Sequence, residues 1–178
     1  YEMLGIKNDV AFNTFNQGFS HDVLSSIEQI TGRSVIGNKC CNDDSIIQEL
    51  GERQYNYGSL IVYTSADSDI QVAAHEDCIP INTLYEYCEK IRSITLNDEY
   101  RIARIIARPF RGTNASNFTR TANRHDYALS PFAPTYLDNL KELRHKVIAN
   151  RLSLKENYRE RLTEKERRDY YNKISQLT

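Results

Sequence analysis

The chain has 178 residues, 40% hydrophobic and 26% charged, with 23 Lys and Arg against 24 Asp and Glu for a formal net charge of −1. That is the length and balance of one ordinary globular domain. It excludes a disordered polyelectrolyte, and no run approaches the roughly 20 apolar residues of a membrane-spanning helix. The near-zero sum conceals a split: residues 1–100 carry 6 basic and 16 acidic groups, residues 101–178 carry 17 and 8, giving local balances of −10 and +9. The sum disfavours a wholly basic nucleic-acid module, and the split leaves room for a local anion site.

The opening Tyr1-Glu2-Met3-Leu4-Gly5 has neither the basic start nor the apolar run of a signal peptide. With no Met at its head, the chain is expected to begin inside a longer reading frame. Val23, Leu24, Ile27 and Ile30 recur at helical spacing between Ser20, a fitting N-cap, and Gly32, a fitting stop. Cys40 and Cys41 are neighbours and, with Cys78 and Cys88, match no zinc spacing. Free thiols in a reducing, cytoplasmic setting are the expectation, with Cys88 a small core residue. A short helix is expected over Ser45–Leu50, with Ile46, Ile47 and Leu50 inward and Gly51 closing it. Leu60-Ile61-Val62-Tyr63-Thr64 reads as a buried strand running into the polar loop Ser65-Ala66-Asp67-Ser68.

Pro80 and Asn82 precede an amphipathic helix whose stripe is Leu84, Cys88, Ile91 and Ile94. Arg101–Ala107 is rich in β-formers, and Pro109 is expected to end that strand or mark an edge. A helix with inner residues Leu137, Leu140 and Leu143 follows Pro134. Beyond it, Lys155–Lys173 is highly charged with a thin apolar stripe, as in a surface helix. The expected fold is α+β, a small mixed or antiparallel sheet covered by helices on one face, with a charged C-terminal helix.

Tyr100–His125 holds six arginines, Arg101, Arg104, Arg108, Arg111, Arg120 and Arg124, with no lysine and no carboxylate. On a strand Arg104 and Arg108 share a side with Ile102 and Ile106. Guanidinium groups offer planar paired donors that match phosphate oxygens. Two readings stay open: a site for a small phosphorylated ligand, or a solvated strand face ion-paired to the acidic first half. The loop Thr64–Asp69 clusters hydroxyls and carboxylates, and an aspartate there suits vicinal sugar hydroxyls. An Asx-type turn capping a following helix fits it as well. His125-Asp126 is a weak candidate base. His75-Glu76-Asp77 has no second histidine at ligand spacing and is not read as a metal site.

Four segments together bear a closer resemblance: Gly58–Ser68, Ala73-Ala74-His75-Glu76-Asp77, Ile105-Ile106-Ala107-Arg108-Pro109-Phe110 and Asn117–Tyr127. In these the chain closely resembles bacterial phosphopentomutases of the alkaline phosphatase superfamily, over roughly residues 1–149. The resemblance implies the mobile cap domain of an enzyme that interconverts ribose or deoxyribose 1-phosphate and 5-phosphate in nucleoside salvage. It implies Ser65 and Asp67 at the sugar, Arg108, Arg120 and Arg124 at the non-transferring phosphate, and Arg151 in a loosely aligned phosphate-contacting position.

The family's catalytic threonine and two manganese ions belong to a core domain that would be this chain's partner. No cofactor and no catalytic residue is therefore expected within the chain, which alone should hold substrate rather than turn it over. The sequence departs from the family at Cys40-Cys41-Asn42-Asp43-Asp44, where a Pro/Ser/Gly-Thr loop is usual. It departs again at Asp69, where an apolar residue is usual, and throughout 150–178, the charged tail. The expected organisation is thus a cap-like domain over 1–149 and a helical tail over 150–178. The alternatives are a non-enzymatic sugar-phosphate binder or protein-interaction module and, more remotely, polynucleotide binding through the basic half.

Overall fold

The computed structural model describes residues 5–6, 10–96, 100–131 and 133–142. By its contacts the chain divides into a unit Lys7–Phe132 and a second unit made of Tyr1–Ile6 and Ala133–Thr178. In the first unit α1 (His21–Thr31), β1 (Val35–Cys40), α2 (Asp43–Tyr57), β2 (Leu60–Thr64), β3 (Asp69–His75), α3 (Ile81–Ile94), β4 (Arg104–Arg111), β5 (Thr119–Arg120) and β6 (His125–Ala128) follow in order. This is the expected α+β class. The strands form one mixed sheet in the order β1-β2-β3-β4-β5, with β6 also paired to β4.

Helix α1 runs between Ser20 and a left-handed Gly32, as its spacing predicts. Helix α3 buries Leu84, Cys88 and Ile91, the predicted stripe. Helix α2 is longer than its sequence suggests. It passes through Gly51 and stops at Gly58, whose φ of 65° is the left-handed conformation that ends helices. Gly51 answers to packing instead, because a Cβ there would lie 2.7 Å from the Phe118 ring. Strand β4 likewise continues through Pro109. The Pro109 carbonyl accepts from Thr121 N–H at 3.0 Å, so its nitrogen faces the same side, where the neighbour changes from β6 to β5. No ladder bond is lost at that break.

β1 and β2 are parallel and joined by α2; β3 and β4 are parallel and joined by α3; β2 and β3 form an antiparallel hairpin. Right-handed crossovers are the rule. Two of them advancing the same way along a sheet, but on strands of opposite direction, must fall on opposite faces. The cores follow this. Leu84, Cys88 and Ile91 of α3 and Val23 and Ile27 of α1 pack on Leu60, Val62, Ile70, Val72, Ile105 and Ala107. Ile46 and Ile47 of α2 pack on Ile61, Tyr63, Ala73, Phe110 and Phe118 from the other side. Both faces therefore carry helices, which corrects the expected single covered face. Ile102 joins the α1–α3 core rather than lying beside Arg104, because β4 begins only at Arg104.

In the second unit α4 (Tyr136–Glu142) follows Pro134. Asp138 accepts from the N–H and hydroxyl of Thr135, and the Thr135 hydroxyl accepts from Asp138 N–H, a reciprocal cap. Leu137 and Leu140, expected inward, are each 37% exposed. Leu143, Arg151, the boundary expected at Ala149 and the charged tail lie outside the described residues.

The Gly51–Phe118 contact has a measurable consequence. Alanine normally stabilises a helix by about 1 kcal/mol over glycine, whereas overpacking costs about 1–3 kcal/mol. Gly51→Ala is expected to lower stability by about 1 kcal/mol in denaturant titration, and a gain would show that the ring yields without cost.

Candidate functional site

Helix α2 covers only part of its face of the sheet. Along β3 that face presents Asp69, Gln71, Ala73 and His75, and along β4 Arg104, Ile106, Arg108 and Phe110. The apolar members Ala73 and Phe110 lie under α2. Beyond them Asp69, Gln71, Arg104, Ile106 and Arg108 floor an open cleft of about 450 Å³. Cys41, the start of α2 (Asn42, Asp43, Asp44), the β2–β3 loop (Ser65, Asp67) and the segment bearing Arg120 and Arg124 complete its lining.

The carboxylate of Asp43 is the hub. Its Oδ2 accepts from Arg108 Nη2 at 2.9 Å and Arg120 Nη1 at 2.8 Å, and its Oδ1 from Tyr63 Oη at 2.8 Å. The side chains of Asp43 and Arg108 are only 12% and 13% exposed. A negative charge in the first turn of a helix is favoured by the helix dipole, and Asn42 caps the same turn by accepting Asp44 N–H at 3.0 Å. Burial first, then the Asp43 carboxylate, push the Tyr63 phenol far above its usual range, so it remains a proton donor. Asp44 takes the remaining edge of Arg120, accepting from Nε at 3.0 Å.

A second chain of bonds links the arginines to the loop. Arg108 Nε donates to Gln71 Oε1 at 2.8 Å, and Gln71 Nε2 donates to Asp69 Oδ2 at 3.3 Å. Asp69 in turn accepts from Thr64 Oγ1, Ser65 N–H and Ser65 Oγ, the last at 2.8 Å. Asp69, 2% exposed, is thus a bonded buried carboxylate that shapes the loop rather than a bare charge facing the cleft. The loop leads into β3, not into the helix its turn signal suggested. Asp67 is 72% exposed and pairs with Arg104 Nη2 at 3.1 Å. Arg124 binds Asp126 through two bonds of 2.7 and 2.8 Å.

The segment carrying Arg120 and Arg124 is tied down from behind by Glu76. Its carboxylate accepts from Thr121 Oγ1 and Asn123 Nδ2 on one oxygen and from Arg111 Nε on the other. Burial alone would raise the Glu76 carboxyl, but bonds from Thr121, Asn123 and Arg111 outweigh it and hold the group below the ordinary carboxylate value. His75 is engaged by the backbone: Nε2 lies 2.8 Å from the Gly112 carbonyl, and Nδ1 accepts Asp77 N–H at 3.2 Å. Among the described residues no group of three or more His, Cys, Asp or Glu side chains is arranged to hold a metal ion.

No protein-family model matches the chain.

Five residues singled out in the sequence, Ser65, Asp67, Arg108, Arg120 and Arg124, line this one cleft, although they come from separate segments. Arg151 lies outside the described residues. Both open readings of the arginines find support: they converge on one cavity, and each of Arg104, Arg108, Arg120 and Arg124 is ion-paired to an aspartate. Sequence reasoning missed Asp43 and Gln71. The period-2 alternation of Asp69 and Gln71 with Ile70 and Val72 was a usable signal for β3 and its polar face. Among the described residues no helix is long and apolar enough to cross a membrane.

Glu76 makes folding pH-dependent. Its folded pKa lies below the unfolded one, so its stabilisation is present above the ordinary carboxylate value and is lost as pH falls through the lower folded value. Thermal melts across this acid range should show a smaller fall in Tm for Glu76→Gln than for wild type. Equal slopes would remove Glu76 from the acid response.

Proposed function

We propose that the chain is the substrate-binding cap of a phosphopentomutase-type enzyme and holds ribose or deoxyribose phosphate. One observation carries the reading most: three separated segments of the resemblance, 58–68, 105–110 and 117–127, contribute Ser65 and Asp67, Arg108, and Arg120 and Arg124 to a single cleft. The guanidinium groups of Arg108, Arg120 and Arg124 suit a phosphate ester. The acceptors at the loop end suit sugar hydroxyls, with the exposed Asp67 better placed to exchange its present partner than the fully bonded Asp69.

In this reading the phosphoryl chemistry belongs to a separate core domain, whose manganese pair and threonine nucleophile are implied by resemblance alone. The part played by this chain's residues is to bind, orient and, on closure, keep water from the reacting group. The chain alone then binds ligand without turnover.

A specific observation favours a second reading. Because every cleft arginine already has an aspartate partner, the face also fits a purely structural ion-pair lattice. Calorimetric titration of ribose 5-phosphate separates the two. The binding reading expects a saturable isotherm for wild type and at least about tenfold weaker affinity for Arg108→Ala, given the strength of charge-assisted bonds to phosphate. No saturable binding, or binding indifferent to Arg108, rejects it and leaves the lattice.

A further inference from the structure

We propose that Asp43 is a built-in counter-ion of the cleft, a fixed carboxylate that stays between Arg108 and Arg120 when an anion binds and lowers the charge of anion the site accepts. The inference rests on the anion-site reading above and adds a residue that sets specificity.

The argument begins with which ion pairs can open. Arg104–Asp67 and Arg124–Asp126 involve side chains substantially open to water on at least one side. Exposed pairs contribute little and exchange partners readily. Asp44, 57% exposed, can also release Arg120. Asp43 differs. It sits in the first turn of α2, is 12% exposed, and is held by Tyr63 as well as by both arginines. Separating it from these partners would leave a buried charge uncompensated. An incoming phosphate therefore gains Arg104, Arg124 and the edges of Arg108 and Arg120 that Asp43 does not occupy, while both arginines keep Asp43 between them.

The consequence is electrostatic. With Asp43 in place, Arg108 and Arg120 present one net positive charge to a ligand rather than two. Repulsion from the fixed carboxylate grows with ligand charge. A phosphate monoester is accepted, and a more highly charged diphosphate is penalised. The resemblance does not supply this feature, since Asp43 lies in Cys40–Asp44, where the chain departs from the family.

The test measures inorganic phosphate, pyrophosphate and ribose 5-phosphate binding to wild type, Asp43→Asn and Asp44→Asn by calorimetry at fixed ionic strength. Asparagine keeps the acceptor for Tyr63 and loses the charge. Asp43→Asn is expected to tighten phosphate about tenfold and pyrophosphate by more. Asp44→Asn, on an exposed side chain, gives a smaller tightening in the same direction and serves if Asp43→Asn does not fold. Weaker or unchanged anion binding in the folded variants overturns the proposal and leaves the sugar-phosphate reading standing. Tightened phosphate and pyrophosphate with no binding of ribose 5-phosphate upholds Asp43 and rejects the sugar. Failure of all three anions to bind any variant rejects both.

Discussion

The carboxylate of Asp43 joins three parts of the domain that the chain delivers from far apart: the first turn of α2, the buried strand β2 through Tyr63, and the arginine face of β4 and β5. Replacing such a group by a well-packed apolar residue is often neutral for stability, whereas removing one partner leaves a charge stranded. Its importance is accordingly geometric. Two guanidinium groups that would otherwise repel one another stand side by side because a single anion lies between them. Tyr63 keeps that anion from rotating out to solvent.

The cleft exists because of how the sheet is wound. A hairpin separates two parallel units, so their connecting helices land on opposite faces. Among the described residues of this unit, α2 is the one helix that covers its face. The apolar ends of β3 and β4 take that cover, and the polar ends remain outside it. Gly51 lets Phe118 close against α2, Glu76 anchors the segment behind Arg120 and Arg124, and Gln71 and Asp69 brace the loop that carries Ser65 and Asp67. The polar residues around the opening are thus placed by neighbours committed to the fold.

Much of this was legible from local pattern. The stripes of α1 and α3, the stop at Gly32, the apolar run of β2 and the shared side of Arg104 and Arg108 all depend on short-range periodicity, which a sequence displays directly. What was not legible depended on tertiary partners. Gly51 reads as a helix stop unless Phe118 is known to lie over it. Pro109 reads as a strand end unless the change of neighbour beside it is known. β1, with Gly37 and a positive-φ Asn38 inside it, has weak strand chemistry and is secured by pairing with β2. Asp43 looked like one acid among many in the −10 half, and only the fold sets it against the +9 half. Part of that charge split is therefore internal complementarity between segments.

The alternation along β4 has one more consequence. Arg104, Ile106 and Arg108 face the cleft, while Ile105 and Ala107 face the α1–α3 core. Sliding β4 by a single residue against β3 would exchange the two sets, driving guanidinium groups among Ile70, Val72 and Leu84 and turning Ile105 out to water. Such a slip has no cheap intermediate, because side chains on a strand have only two directions. The arginines therefore act as a ratchet tooth for the parallel β3–β4 pairing, and a chain that has folded in the correct register has, by that act, laid the floor of its cleft.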